Sequence, residues 1–322
     1  MNTDTMHSAS WHRENGKMPG SQSRQHLEAE NMLKPHGRFE YSAIIDRPKF
    51  TWPNGKKLAV YLALNLEHFS YGEGMGAKLA PSASPDVLNY AWREYGNRVG
   101  AWRMLSMFDK LDLPVSVLVN TSLYEHCPQL VKAFSDRGDE IVAHGYSNAF
   151  SQSDMAISEE REMIAQVSAA IKNHQGQLPK GWLSPWIAVS NDTPDLLAEQ
   201  GYQYTLNWCH DDQPTWFKTT ADKPFLSVPY PQELNDIPSI IGRHIEGDTF
   251  ANMIIDQFDE MLEQSEQQPL VMGIALHAYI TGQPFRLRHL RRALEHICKQ
   301  RDSIWLCTAG DIAQHFGKVN QQ

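Results

Sequence analysis

Short apolar runs without internal alternation recur along most of the chain, and segments with helical spacing separate them. The first run, Lys57–Leu66 (KLAVYLALNL), predicts a strand buried on both faces. Arg98–Leu111 follows with Val99, Trp102, Met104, Leu105 and Phe108 at helical spacing. Pro114–Asn120 predicts a second buried strand, and a helix over about Pro128–Arg137 stops at Gly138. A short strand at Glu140–Ala143 precedes a helix at Ser158–Lys172, whose first turn carries Glu159, Glu160 and Glu162 against the helix dipole. Gly181–Leu183 and Tyr202–Asn207 read as strands around a helix that Thr193 and Pro194 open and Gly201 closes. The remaining elements are a helix at Asp248–Gln264, a strand at Leu270–Leu276, a helix at Arg286–Lys299, and short apolar pieces at Ile304–Cys307 and Ile312–Phe316.

Non-alternating strands separated by helices predict an α/β fold with a parallel sheet covered by helices. Seven or eight such units predict a distorted (β/α) barrel, with a doubly wound open sheet as the alternative. No G-x-G-x-x-G follows the first strand, which argues against a dinucleotide site. No internal repeat or linker divides residues 38–322, so the expectation is one barrel domain. Residues 1–37 lack apolar periodicity and are expected to form a mobile or oligomer-contacting arm.

Composition narrows the partners. The 322 residues are 41% hydrophobic and 21% charged, and 29 Lys+Arg against 38 Asp+Glu give a net charge of -9. An acidic chain without a basic block is a poor nucleic-acid binder. No apolar run reaches the roughly 20 residues that span a bilayer, so no membrane partner is expected. The polar first residues lack the apolar segment of a secretory leader. Four scattered cysteines fit a reducing compartment. The expected location is cytoplasmic, with a small molecule as substrate.

In parallel barrels the chemistry gathers at the C-terminal strand ends. Those ends carry Asn65 and Glu67, Asn120, His144 with Gly145-Tyr146-Ser147-Asn148, Ser184-Pro185-Trp186, Asn207, and His277. A single Glu67 alone would more often be a solvated carboxylate, and a single histidine a core or capping residue. Two histidines ending different strands shift the balance toward acid–base or ligand roles. Asp211 and Asp212 precede Gln213-Pro214 and read as turn carboxylates, and Arg286, Arg288, Arg291 and Arg292 as a solvated helix face.

Read in order, NLEHF, WREYGNRVGAWR, AHGYSN, GWLSPW, NWCHDDQPTWF and LHAYITGQPFR make the chain resemble the polysaccharide deacetylase superfamily. Within it, the branch resembled is that of the metal-independent allantoinases and cyclic imide hydrolases. The resemblance runs from about Arg38 to Phe316. It implies a base aspartate, a metal-ligand aspartate and two metal-ligand histidines four residues apart. At the matching positions this chain has Asn65, Glu67, His144 and Asn148. An amide at position 65 cannot take a proton at neutral pH, and Glu67, His144 and Asn148 make a poor zinc site.

The resemblance therefore implies hydrolysis of a non-peptide C–N bond in a small amide, with no cofactor or a weakly bound divalent metal such as zinc. Its expected catalytic residues are Glu67 (water), His144 (carbonyl) and His277 (acid). Asn65, Tyr146, Asn148, Ser184 and Trp186 are expected at the substrate, with Arg98 as an anchor for an anionic group. A homo-dimer or homo-tetramer is expected by the same analogy. Two other readings stay open: a metal-dependent deacetylase of small acetylated sugars or amines, and a non-catalytic ligand-binding barrel.

Overall fold

The first apolar run becomes the centre of the molecule. In the computed structural model, which describes residues 33–221 and 223–320, β1 (Leu58–Leu66) is buried over its whole length. Up to residue 32, the expected arm lies outside the described residues. From there the order is α1 (Val87–Tyr95), a π turn (Gly96–Gly100), α2 (Ala101–Leu111), β2 (Val115–Val119), α3 (Leu123–His126), α4 (Pro128–Asp136) and β3 (Glu140–Ala143). Next come α5 (Ile157–Gln175), β4 (Gly181–Trp182), α6 (Thr193–Glu199), β5 (Tyr204–Thr205), β6 (Thr215–Trp216) and β7 (Leu226–Ser227). The chain ends with α7 (Gly247–Gln264), β8 (Leu270–His277), α8 (Pro284–Cys298), β9 (Trp305–Cys307) and α9 (Ala309–Val319).

The strands form one curled sheet in the order β6-β7-β5-β4-β3-β2-β1-β8, with β9 also pairing β1. Eight of them run parallel, as the sequence predicts. β6 is an added antiparallel edge on β7. Between β7 and β8 the sheet is crossed by isolated contacts: Val271 N–H donates to the Asp212 carbonyl at 2.8 Å and Ala275 N–H to that of Leu234 at 2.9 Å. The structure is thus the expected distorted barrel, regular on the β1–β3 and β8 side and irregular opposite.

Side chains alternate across a strand, and here both faces are apolar but differ in size. On β1, Leu58, Val60, Leu62, Leu64 and Leu66 pack outward with Met104, Phe108 and the helices. Ala59, Tyr61 and Ala63 face the interior with Val271 and Ala275 of β8. The same inward phase continues to Asn65 and Glu67 on β1 and to His277 on β8. Asn65 and His277 are direct register partners. Phase therefore delivers the polar strand ends into the barrel mouth.

The WREYGNRVGAWR segment is a brace. Its helix does not begin at Arg98 as expected but at Val87, and passes through the π turn into α2. A Cβ on Gly100 would lie 2.1 Å from the Ala278 carbonyl oxygen, and one on Gly96 would lie 2.7 Å from the Tyr279 nitrogen. Only glycine lets this helix press on the loop that follows His277. Replacing Gly100 with Ala is expected to destabilise the fold by about 1–3 kcal/mol through overpacking. Calorimetry reads this as a lowered Tm, with kcat falling as His277 shifts.

Candidate active site

The strand ends converge on a cavity of about 110 Å³ whose lining includes Asn65, Glu67, His144, Asn148, Ser184, Trp186 and His277. Larger hollows exist, one of about 700 Å³ beside Phe39, Phe50, His210 and Trp216, but it gathers none of these groups. Chemistry, not size, picks out the site.

Glu67 is the pivot. Its Oε1 accepts a hydrogen bond from Asn148 Nδ2 and lies 3.5 Å from His144 Nε2 and 3.6 Å from His277 Nε2. Its Oε2 accepts from the Tyr279 hydroxyl at 2.9 Å. Asn97 Nδ2 holds the Glu67 backbone carbonyl at 2.9 Å. Burial alone would raise the Glu67 pKa, but the charge on His277 beside it outweighs burial and holds the carboxyl well below its usual range. It is a carboxylate at any working pH.

His277 is held by Asp236. The ring Nδ1 donates to Asp236 Oδ1 at 2.7 Å, while the His277 backbone N–H and the Thr281 hydroxyl both donate to Oδ2 at 2.9 Å. Burial opposes a charged imidazole, yet Glu67 and Asp236 prevail and push the His277 pKa up to about 10. At neutral pH it is an imidazolium between two carboxylates.

His144 is in the opposite state of engagement. Its Nδ1 donates to the Leu183 carbonyl at 2.7 Å, which leaves Nε2 as the lone-pair nitrogen of the neutral ring. That Nε2 is buried and has no hydrogen-bond partner, a deficit of about 1–3 kcal/mol for an unmatched buried group.

The Asn148 orientation follows from a chain of obligate donors and acceptors. The His68 backbone N–H donates to Asn120 Oδ1, so Asn120 Nδ2 is left for the His144 carbonyl and Asn148 Oδ1. Asn148 must then turn its Nδ2 to Glu67. This corrects the expected substrate contact: Asn148 positions Glu67, and both ends of its amide are spoken for. It also bears on zinc. The matching third ligand presents an amide nitrogen, which is not a metal donor, and its oxygen is engaged by Asn120. Among the described residues no group of three or more His, Cys, Asp or Glu is arranged to hold a metal ion. The Glu67, His144, Asn148 set does not fit zinc.

The other expected residues divide. Asn65 lines the cavity and donates to the Tyr230 hydroxyl at 3.1 Å and the Leu276 carbonyl at 3.2 Å. The Ser184 hydroxyl accepts from Trp182 Nε1 and Asn207 Nδ2, which leaves its proton free to donate. Trp186 donates to the Asn148 carbonyl at 3.0 Å, and both it and Ile187 hold positive φ (63° and 55°), a strained wall costing about 1–3 kcal/mol per residue. Tyr146 is 56% exposed and Arg98 is exposed beside Trp102 and Arg291, and neither lines the cavity. The anion anchor is therefore absent from this position. Asp211 pairs with Arg47 at 2.6 Å, consistent with its turn reading. Tyr279, Asp236, Tyr230 and Gln232 were not singled out from the sequence. Only Tyr279 had a signal, as the second residue after His277 in a quoted motif.

A curled parallel sheet with a carboxylate set between two imidazoles at its C-terminal mouth defines the class: a (β/α) barrel equipped for acid–base chemistry. Residues 94–205 match the family model described as polysaccharide deacetylase. It is 25% identical over 268 residues to a peptidoglycan deacetylase of Helicobacter pylori, covering 74% of this chain and 89% of that one. The crystal structure of PuuE allantoinase superposes with a TM-score of 0.78 at 25% identity, covering 88% of this chain and all (100%) of the other. A probable polysaccharide deacetylase from Pseudomonas aeruginosa PAO1 gives the same TM-score of 0.78 and 25% identity over 87% of this chain and 99% of that one. Among the described residues no helix is long and apolar enough to cross a membrane.

Proposed function

We propose that this chain hydrolyses a C–N bond in a small ring amide, such as a cyclic imide or ureide, without a resident metal. The observation that carries this reading is the cavity floor. The unpartnered His144 Nε2 and an imidazolium proton on His277 flank one fixed carboxylate, in a space well below the roughly 300–1,000 Å³ of an ordinary small-molecule site. Similarity to an allantoinase over most of both chains supports it.

The chemistry balances within the cluster. Water lies between the substrate carbonyl and His144 Nε2, which takes its proton as the oxygen bonds to carbon. His277 Nε2–H donates to the ring nitrogen as the C–N bond breaks, giving a freed amide or amine and a carboxylic acid that loses its proton to solvent on release. Glu67 faces one imidazolium before the step, on His277, and one after it, on His144. No net charge is created in the buried site, and Glu67 then relays the proton back across the 3.5 and 3.6 Å gaps. This moves the base from Glu67, as the sequence suggests, to His144, because the Glu67 oxygens are already surrounded by donors.

N-deacetylation of an acetylated sugar is the second reading, favoured by the family match and the peptidoglycan deacetylase relative. A panel of hydantoin, dihydrouracil, succinimide and allantoin against N-acetylglucosamine oligomers separates the two. Ring opening without acetate release is expected, and acetate release alone overturns the proposal. Dialysis against EDTA is expected to leave kcat/KM within twofold of untreated enzyme, as roughly allowed by handling losses. Activity lost to chelation and restored by zinc would refute the metal-free step.

A further inference from the structure

Two buried polar atoms without a partner line the cavity: His144 Nε2, which the mechanism uses, and Gln232 Nε2, which it does not. We propose that Gln232 is the specificity-determining residue and reads the cis-amide edge of a ring substrate. This rests on the ring-amide reading and deepens it.

The geometry of amides supplies the argument. An open-chain secondary amide such as an N-acetyl group is trans, so its C=O and N–H point to opposite sides. A small ring forces the amide cis, so C=O and N–H share one edge. A carboxamide side chain presents a donor and an acceptor at the same spacing, the pairing by which Asn and Gln grip two adjacent atoms of adenine. Gln232 can therefore engage both atoms of a lactam, imide or ureide edge, and only one atom of an acetamide.

The segment that carries Gln232 is held on both sides. The Tyr61 hydroxyl donates to the Pro229 carbonyl, the Ser239 hydroxyl to the Glu233 carbonyl at 2.6 Å, and Ala275 N–H to the Leu234 carbonyl at 2.9 Å. An amide with an unmatched donor, carried on a held backbone and lining the same cavity as the imidazoles, is preorganised for a ligand. It belongs to the irregular chain between β7 and α7 and is pinned against β1 and β8 by these contacts.

The test compares succinimide with N-methylsuccinimide, which lacks the N–H, on the wild type, Gln232→Leu and Gln232→Met. Turnover gives KM, and calorimetric titration gives Kd for any pair that is not turned over. In the wild type, succinimide is expected to bind at least about tenfold better than its N-methyl form. In both variants that preference is expected to vanish through a rise in the succinimide KM, with kcat held within about threefold and Tm unchanged or higher. A preference that survives in both variants, or is absent from the wild type, overturns the role of Gln232 and leaves the ring-amide reading standing. If the wild type neither opens nor binds either imide, the ring-amide reading falls and this inference falls with it.

Discussion

Glu67→Gln is expected to lower kcat by about 10²–10⁴-fold, the range typical of losing an acid–base partnership, while the protein stays folded. Glutamine keeps an oxygen for the Asn148 amide, and the Tyr279 hydroxyl can turn to accept from the new NH₂ group. What disappears is the negative charge that both imidazoliums need in turn. His277 keeps Asp236 and loses the largest single influence that raises its pKa, so its proton is shed at lower pH. Steady-state kinetics with far-UV circular dichroism checks this. A kcat within tenfold of wild type would remove Glu67 from the mechanism.

The second large effect is at Asp236, which accepts three hydrogen bonds while fully buried. Asp236→Ala leaves an imidazolium and two donors unmatched, and is expected to cost about 3–5 kcal/mol in denaturant unfolding. Asp236→Asn isolates the charge. The acid must be protonated, so wild-type activity persists through neutral pH and falls as pH rises through about 10, where His277 loses its proton. In Asp236→Asn that alkaline limb moves down. Stability follows the same sign. A folded-state pKa of about 10 against an ordinary value of 6.5 gives stability that is complete below 6.5 and lost as pH rises through about 10. The variant is expected to lose less stability than wild type between pH 7 and 10. An unmoved limb in kcat/KM would show that Asp236 does not set the His277 proton.

The regular half of the barrel was readable because long strands carry their own phase. Nine residues of β1 and eight of β8 have an outward face of Leu, Val, Ile and Met and an inward face of Ala, Gly, Val and Tyr, so the inward positions project to Asn65, Glu67 and His277. The two-residue strands β4 to β7 are too short for any period, and β6 and β7 went unseen. Asp236 and Gln232 lie in the irregular chain between β7 and α7, where neither pattern nor spacing marks them. Arg98 shows a different failure. It is adjacent to Asn97, which does reach Glu67, but one residue is about 100° of helix, enough to turn a side chain from the barrel to solvent. The Asn148 amide could not have been oriented from sequence, because its direction is dictated by backbone groups at His68 and His144 that only the fold brings together.

The pairing of β1 with β8 over eight consecutive register positions, with β2 and β9 sharing β1's other side, has a consequence for how such a protein diversifies. Glu67 and His277 hang from the longest ladder of the sheet, so the distance between them is inherited with it. Gln232 and Trp186 hang from chain that no ladder constrains. A lineage can therefore rewrite the wall residue by residue and acquire a new substrate, while the proton machinery passes down unaltered.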